Sequence, residues 1–337
     1  MKHIFLFCIC AFSTLLLLSS CHHDEPGNPF KPLDKRTVLV LSTDGEIFDQ
    51  HGELVTQLPN CTYANEIIAD GNDYFVSGVQ SKDRVGYWKN GKWSTLHIDF
   101  IDDVDHWTYG IGKWDYYIFL LDIPNVLKNS GIFPLEKYHD FIPANHGLRV
   151  SEGKCYVIGY AFGDDENDDS YYKPVLYTNY KKEYLPMPEG VKTGECHAIY
   201  AYNRDHTLIG GCIDGMPAVW VDKQYQIYPT TSNDATEGRI DAITMNQGHI
   251  YGAGWERKDD GSLVATLWTD GVPTHYLSGN PGVTSSQAQE IYSYDQDVYV
   301  LTSEYYSELD LDITHLWLNG KIIMSYNGIH AIGFTVL

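Results

Sequence analysis

The chain has 337 residues, and its 45 acidic residues against 23 basic ones give a formal net charge of −22 at pH 7. This negative charge argues against a nucleic-acid partner, because proteins that bind nucleic acids neutralise phosphates with Lys and Arg. It argues equally against adhesion to anionic lipid through a basic patch.

Residues 1–20 have the pattern of a secretory signal. Lys2 precedes an apolar run from Ile4 to Leu18, which is short for a transmembrane helix. The sequence Leu-Ser-Ser-Cys that ends at Cys21 resembles the lipobox of bacterial lipoproteins. The resemblance implies cleavage before Cys21 and lipidation of that residue. The alternative is an ordinary secretory signal in which Cys21 is incidental.

Residues 21–36 are predicted to form a flexible tether. They are polar, contain Pro and Gly, and show no apolar period. The acidic residues directly after Cys21 resemble the surface-export signal of Bacteroidetes-type lipoproteins. We therefore expect an envelope protein at the outer membrane, held to the membrane only by its lipid, with surface or periplasmic facing left open.

A short phrase recurs seven times between residues 37 and 337. It consists of an apolar or aromatic residue, a variable residue, and then Asn, Asp or Gln, often followed by Gly. The copies lie about 40 to 50 residues apart, a period that is typical of a β-propeller. They are Phe48-Asp49-Gln50, Trp88-Lys89-Asn90, Leu127-Lys128-Asn129, Tyr177-Thr178-Asn179, Trp220-Val221-Asp222, Trp268-Thr269-Asp270 and Trp317-Leu318-Asn319.

Each repeat is interpreted as four strands, A to D, with the phrase closing strand C. The Asn-Gly and Asp-Gly pairs predict two-residue hairpin turns into strand D. Residues 37–58 resemble strands B, C and D without a strand A, and residues 328–337 resemble a strand A alone. The sequence therefore predicts an all-β, seven-bladed propeller of four-stranded blades, closed by a split blade. The repeat over 101–140 fits the pattern least well.

Three segments carry a resemblance to a known group. They are Asp297–Val300 (Asp-Val-Tyr-Val), Tyr87–Gly91 (Tyr-Trp-Lys-Asn-Gly) and Ala64–Ile67 (Ala-Asn-Glu-Ile). They resemble the repeats of Bacteroidetes-type envelope lipoproteins. The resemblance implies a propeller and an envelope location, and it supplies no activity or catalytic residues.

Alignment of the predicted A strands gives seven equivalent polar positions. Strand A is the innermost strand of a blade, so these side chains are expected to ring one mouth of the central channel. They form either a ligand site or a hydrated polar ring. Equivalent positions of different blades lie too far apart for ligands at ~2 Å from one ion, so no metal or cofactor is predicted. The seven are Asn65, His106, His146, His197, Asp241, Gln289 and His330.

Three long B–C loops are predicted on the same face. Their aromatic residues are expected to stack on a sugar or to anchor a protein interface, unless the loops are simply solvated turns. The acidic loop 163–170 lacks the order of a calcium-binding EF-hand. The aromatic residues are Tyr171, Tyr172, Trp255, Tyr305 and Tyr306.

Cys196 and Cys212 flank a predicted hairpin. A disulfide between them is possible in an exported protein, but directly opposed cross-strand bridges are geometrically demanding, which favours two free thiols.

The sequence contains no Gly-x-Ser-x-Gly, no His-Glu-x-x-His and no phosphate-binding glycine loop. We therefore expect a non-enzymatic module that binds a glycan or a partner protein. One alternative is a glycan hydrolase or lyase with its site at the channel mouth. Another is a scaffold of an envelope complex, which would carry a large apolar side patch.

Overall fold

The computed structural model describes residues 37–80, 84–95, 108–122, 125–129, 131–137, 140–162, 171–231, 235–276, 280 and 282–337. The predicted signal and tether, Cys21, His106 and the acidic loop 163–170 lie outside these residues. No helix in the described ranges is long and apolar enough to cross a membrane.

The described residues form 28 strands in seven antiparallel sheets of four, which we call blades 1 to 7. Blade 1 contains β4 (Cys61–Asp70), β5 (Asp73–Gln80), β6 (Arg84–Lys89) and β7 (Lys92–Thr95); blade 2 contains β8 (Gly110–Trp114), β9 (Tyr117–Asp122), β10 (Asn125–Lys128) and β11 (Gly131–Pro134); blade 3 contains β12 (Phe141–Ser151), β13 (Lys154–Phe162), β14 (Tyr172–Thr178) and β15 (Lys181–Tyr184); blade 4 contains β16 (Gly194–Ala201), β17 (Thr207–Ile213), β18 (Met216–Val221) and β19 (Gln224–Ile227). Blade 5 contains β20 (Ala235–Asn246), β21 (His249–Lys258), β22 (Leu263–Thr269) and β23 (Val272–His275); blade 6 contains β24 (Ser285–Tyr294), β25 (Asp297–Tyr306), β26 (Leu311–Leu318) and β27 (Lys321–Asn327); blade 7 contains β28 (Ala331–Val336), β1 (Val38–Ser42), β2 (Glu46–Asp49) and β3 (Leu54–Gln57).

The seven-bladed propeller and its split closing blade are confirmed. Blade 7 has the strand order β28-β1-β2-β3, so it joins the last strand of the chain to the first three. Val40 lies opposite Phe334 in this antiparallel pair. The weakly patterned second repeat also forms a complete blade of four strands.

The hydrophobic core is divided into seven clusters, and each cluster lies between two neighbouring blades. Between blades 7 and 1, Leu41 and Ile47 pack with Trp88. Between blades 6 and 7, Leu316 packs with Phe334. Each blade therefore buries both faces against its neighbours, and the closing blade is held on both sides like the others.

One hydrogen bond explains why the third residue of the recurring phrase is Asn, Asp or Gln. In all seven copies, a side-chain oxygen of the Asn, Asp or Gln accepts a backbone N–H from the start of strand B, at 2.9 to 3.1 Å. In six copies this residue also has a left-handed backbone, with φ between 47° and 49°. Asn and Asp tolerate this conformation better than other residues with a side chain. These six residues are Asn90, Asn129, Asn179, Asp222, Asp270 and Asn319.

The Trp of the phrase ties strand C to the segment that enters strand A of the same blade. Trp88, Trp220 and Trp268 are fully buried. Their indole N–H groups donate to the backbone oxygens of Pro59, Pro186 and Pro229, respectively, at 3.4, 2.8 and 2.9 Å. In blade 6 the indole of Trp317 instead donates to the Thr302 hydroxyl at 2.8 Å.

All four cysteines in the described ranges are free, as favoured from the sequence. Cys196 lies opposite Gly211, whereas Cys212 lies opposite Glu195. Because successive side chains of a strand point to opposite faces, the two thiols are not placed for a disulfide.

We expect Asn179→Ala to lower the free energy of unfolding by about 2 kcal/mol. The substitution removes the acceptor of the Cys155 N–H, at 3.0 Å, and places Ala at a φ of 47°. Urea unfolding followed by tryptophan fluorescence measures the effect. Asn179→Asp is the matched control and should retain most of the stability, because Asp occupies the equivalent position in blades 4 and 5. Equal losses for Ala and Asp would contradict the proposed contribution of the acceptor.

Candidate functional site

Four of the predicted ring residues are the extra residue of a β-bulge in the innermost strand of a blade. The register between strands A and B shifts by one residue at Asn65 in β4, His197 in β16, Asp241 in β20 and Gln289 in β24. A bulge leaves one residue unpaired and redirects its side chain. The constant spacing seen in the sequence thus reflects a bulge that is repeated in these blades.

The closing blade departs from the alignment made from the sequence. In β28 the register shifts between Ala331 and Gly333, so the extra residue is Ile332 and not His330. The ring position of this blade is therefore apolar. His330 lies two residues earlier, although it still lines the cavity described below.

Blade 3 carries a longer bulge than the others. Four residues, 144–147, separate Pro143 from Leu148 on β12, while only Ile158 separates their partners on β13. His146 lies in this bulge with a φ of 58°. Its side chain lines the cavity described below.

The ring residues surround a cavity of about 260 Å³, which we call the mouth cavity. Six of the seven predicted positions line it: Asn65, His146, His197, Asp241, Gln289 and His330. The sequence analysis missed Tyr63, Arg239 and Gln287, which also line it. Each precedes a ring residue by two positions. Because alternate side chains of a strand point to the same face, this spacing in the sequence could have identified them.

His146 and Glu290 form a bridge across the channel. The His146 Nδ1 atom lies 2.8 Å from Glu290 Oε2 and joins blade 3 to blade 6. A Cβ atom on Gly333 in blade 7 would lie 3.6 Å from the imidazole and 3.8 Å from this carboxylate. The pair is therefore packed against a third blade. His146 lines both the mouth cavity and a second cavity of about 320 Å³, the inner cavity, which also contains Arg149, Thr244 and Ser293 in its wall.

A second charged pair supports this bridge. The buried Glu66 accepts a hydrogen bond from Arg149 Nη1 at 2.5 Å and another from the Ile111 N–H at 2.8 Å. Arg149 also donates to the backbone oxygens of His146 and Leu148, at 3.3 and 2.7 Å. Arg149 therefore fixes the bulge that carries His146, and the Glu66 carboxylate joins blades 1, 2 and 3.

The surroundings of His146 favour its charged form. Burial by itself lowers the pKa of the imidazole. The hydrogen bond to Glu290 and the negative charges of Glu290 and Glu66 outweigh burial and the opposing charge of Arg149, so the pKa of His146 is raised.

The rim of the mouth cavity carries two more hydrogen-bonded pairs of side chains, each within one strand. His197 Nε2 lies 2.8 Å from Glu195 Oε2, and Arg239 Nε donates to Asp241 Oδ1 at 2.6 Å. The hydrogen bond from His197 lowers the pKa of the Glu195 carboxyl, against the effect of burial.

One atom in each of two amide groups in the wall lacks a hydrogen-bond partner. Among the described residues, Asn65 Nδ2 and Gln289 Oε1 are buried and make no hydrogen bond. Asn65 is only 2% exposed. A buried donor or acceptor without a partner costs roughly 1–3 kcal/mol, so these two atoms favour a polar molecule in the mouth cavity.

The loop aromatic residues do not form one exposed surface. Trp255 and Tyr306 are only 8% and 6% exposed, because β21 and β25 extend through residues placed in loops by the sequence analysis. Trp255 lies between the guanidinium groups of Arg239 and Arg257, 5.2 and 5.4 Å from its ring. Tyr305 is exposed and donates to Asp310.

The other two loop aromatic residues lie in blade 3. Tyr171 is half-buried under the ammonium group of Lys173. Tyr172 packs edge-on against Tyr160, with ring centroids 5.6 Å apart, and the ring of Tyr160 lies 6.1 Å from that of His197. An aromatic wall therefore stands beside the rim at blade 3, and the sequence analysis identified only one of its rings.

No family model and no curated protein matches the chain. Solved structures are similar at low identity. A quinonprotein alcohol dehydrogenase-like protein from Bacteroides thetaiotaomicron is 10% identical over 89% of this chain and 78% of its own, with a TM-score of 0.48. A chain of a nidogen/laminin complex is 11% identical over 89% and 98%, with a TM-score of 0.44. AofleA from Arthrobotrys oligospora is 9% identical over 92% and 91%, with a TM-score of 0.41. Likeness at this level does not indicate a ligand for this chain.

We expect Glu290→Gln to weaken the pH dependence of stability. A raised folded-state pKa means that His146 contributes its full stabilisation below the unfolded pKa of about 6.5. This contribution is lost as the pH rises through the folded-state pKa. Replacing the carboxylate by an amide removes the cause of the raised pKa, so the decline in the free energy of unfolding above pH 6.5 should shrink.

Urea unfolding at several pH values from 6 to 9 measures this change. Glu183→Gln, which removes the surface partner of Lys223, is the matched control and should keep the original pH dependence. An unchanged pH dependence in Glu290→Gln would show that the bridge does not set the pKa of His146.

Proposed function

We propose that the protein is a non-enzymatic, lipid-anchored binding module of the cell envelope whose mouth cavity binds a glycan. The observation that carries the proposal is the pair of buried amide atoms, Asn65 Nδ2 and Gln289 Oε1, which lack partners in the wall of this cavity. One is a donor and the other is an acceptor. A hydroxylated ligand satisfies both, because each hydroxyl group donates and accepts.

The charges at the rim favour a ligand that is neutral. The Arg239 and Asp241 side chains are paired, and the Glu195 carboxylate is hydrogen-bonded to His197, so the charged groups of these two pairs already have partners. A neutral polyol can hydrogen-bond to these side chains without bringing a charge that lacks a partner. The rings of Tyr160 and Tyr172 beside His197 add an aromatic surface for the apolar face of a sugar.

The size of the mouth cavity limits the ligand. Its volume of about 260 Å³ falls just below the roughly 300–1,000 Å³ of pockets for drug-sized molecules. It therefore suits the end of a glycan rather than a long internal stretch.

A protein partner is less well supported. Stable protein interfaces cover about 800 Å² on each partner and are anchored by exposed aromatic residues. Two of the aromatic residues expected to anchor a partner, Trp255 and Tyr306, are instead buried within the fold. A glycan therefore matches the mouth better than a protein surface does.

Hydrolysis is also less well supported, although the channel does contain carboxylates and His in a deep position. The carboxylates of Glu66, Asp241 and Glu290 each have a partner at 2.5 to 2.8 Å. A general acid or base must be free to exchange a proton with substrate. The engaged carboxylates favour binding over catalysis.

The proposed location is supported by sequence alone. The signal-like residues 1–20 and the lipobox-like sequence ending at Cys21 favour an anchor at the outer membrane. Expression of the full chain in a Gram-negative host with labelled palmitate tests this. We expect label in the wild type and none in Cys21→Ser; equal labelling of both would contradict lipidation at Cys21.

Binding is tested with a glycan array, followed by calorimetry on the best ligand. We expect Gln289→Leu to weaken binding about tenfold, because the buried acceptor is lost. Gln224→Leu, on the exposed outer strand β19, is the matched control and should bind as the wild type does.

Three outcomes would overturn the proposal of a glycan-binding module. The array shows no ligand, Gln289→Leu binds as tightly as the wild type, or the ligand is cleaved during incubation. The last outcome would favour the hydrolase or lyase.

A further inference from the structure

Blade 4 brings three different metal-binding side chains together at the rim of the mouth. Glu195 and His197 lie two residues apart on β16, and Cys212 lies directly opposite Glu195 on β17. One ligand atom from each of the three lies within 4.8 Å of the other two. The closest pair is Glu195 Oε2 and His197 Nε2, at 2.8 Å.

The size of this group suits a tetrahedral zinc ion. Zinc lies about 2.0–2.3 Å from oxygen, nitrogen and sulfur ligands, which places the ligand atoms roughly 3.3–3.7 Å from one another. An ion between the three atoms therefore replaces the His197–Glu195 hydrogen bond and needs only small side-chain movements. Because His197 lines the mouth cavity, the site lies beside that cavity.

The repeats provide an internal comparison. The three equivalent positions hold Tyr63, Asn65 and Val79 in blade 1, Arg239, Asp241 and Trp255 in blade 5, and Gln287, Gln289 and Ser303 in blade 6. These sets fold into the same bulged geometry without three zinc ligands. The blade therefore does not require Glu, His and Cys at these positions, and their combination in blade 4 needs another explanation.

The charges also balance when an ion is bound. A thiolate, a carboxylate and a neutral imidazole contribute two negative charges, which one divalent ion neutralises. The neighbouring Arg239 is already paired with Asp241 at 2.6 Å. A loaded site therefore leaves no uncompensated charge in this half-buried position.

We propose that Glu195, His197 and Cys212 bind one Zn²⁺ ion, with the fourth coordination position open to the mouth cavity. No metal was predicted from the sequence, because equivalent positions of different blades are too far apart to share one ion. The ligands of this site instead come from two adjacent strands of one blade. The site is independent of the amide groups of Asn65 and Gln289.

The test uses Co²⁺ as a spectroscopic substitute for Zn²⁺ on the full chain, reduced beforehand. A thiolate bound to Co²⁺ gives a near-ultraviolet charge-transfer band. We expect this band in the wild type and in Cys61→Ser, and its loss in Cys212→Ser. Cys61 is a half-buried thiol of blade 1 and serves as the matched control. Loss of the band in Cys212→Ser also distinguishes this site from the neighbouring Cys21, His22 and His23, which that variant leaves intact.

Calorimetry with Zn²⁺ gives the affinity. Loss of an outer-shell partner commonly weakens a metal site by 10–100-fold, so we expect loss of a direct ligand in Cys212→Ser or His197→Gln to cost about 100-fold or more. Glu195→Gln keeps the side-chain shape and tests the site if the Cys212 variant fails to fold. Weaker Zn²⁺ binding by Glu195→Gln supports the site.

Three results would overturn the metal proposal: no charge-transfer band, a band that persists in folded Cys212→Ser, or unchanged Zn²⁺ affinity in folded Glu195→Gln. Glycan binding depends on Gln289 in blade 6, whereas these variants lie in blade 4. The two sets of variants therefore test the glycan proposal and the metal proposal separately.

Discussion

The hydrogen bond from the start of strand B to the side chain that ends strand C is the interaction on which this propeller depends. Each blade uses it once, with Asn, Asp or Gln as the acceptor. It fixes the two central strands of a blade against each other at the end where the hairpin must turn. With this end fixed, the innermost strand is free to depart from regular pairing at the opposite end. The bulges that line the mouth lie at that opposite end. The same repeat therefore supplies both the stabilising hydrogen bond and the candidate site.

Much of this architecture could be predicted because the interaction is local in sequence. Asn, Asp and Gln recur at the turn for a physical reason, and strands A and B of blades 1 to 6 are directly connected, so their spacing is preserved. Asn65 and Gln289, aligned from this spacing, therefore both fall at a bulge and line the mouth cavity. In blade 7 strand A comes from the other end of the chain, no spacing links it to strand B, and the alignment chose His330 where the bulge holds Ile332.

Other features could not be predicted from the sequence, because they depend on contacts between residues of different blades across the channel. Nothing in the pattern around His146 shows that its bulge is longer, or that its imidazole meets Glu290 from blade 6. The pairing of Glu66 with Arg149 likewise joins blades that are not adjacent. Strand length was misjudged at Trp255 for a related reason. Pairing with β22 continues the strand past a point where composition suggested a loop.

The split blade also orders the events of synthesis. Val40 pairs with Phe334, so two strands that emerge from the ribosome at opposite ends of translation must meet before the ring is complete. Until then blade 7 lacks its innermost strand, and the edge of β1 that pairs with β28 is left open. Closure of the ring therefore depends on a strand that is distant in sequence, whereas each of the other six blades is built from four consecutive strands.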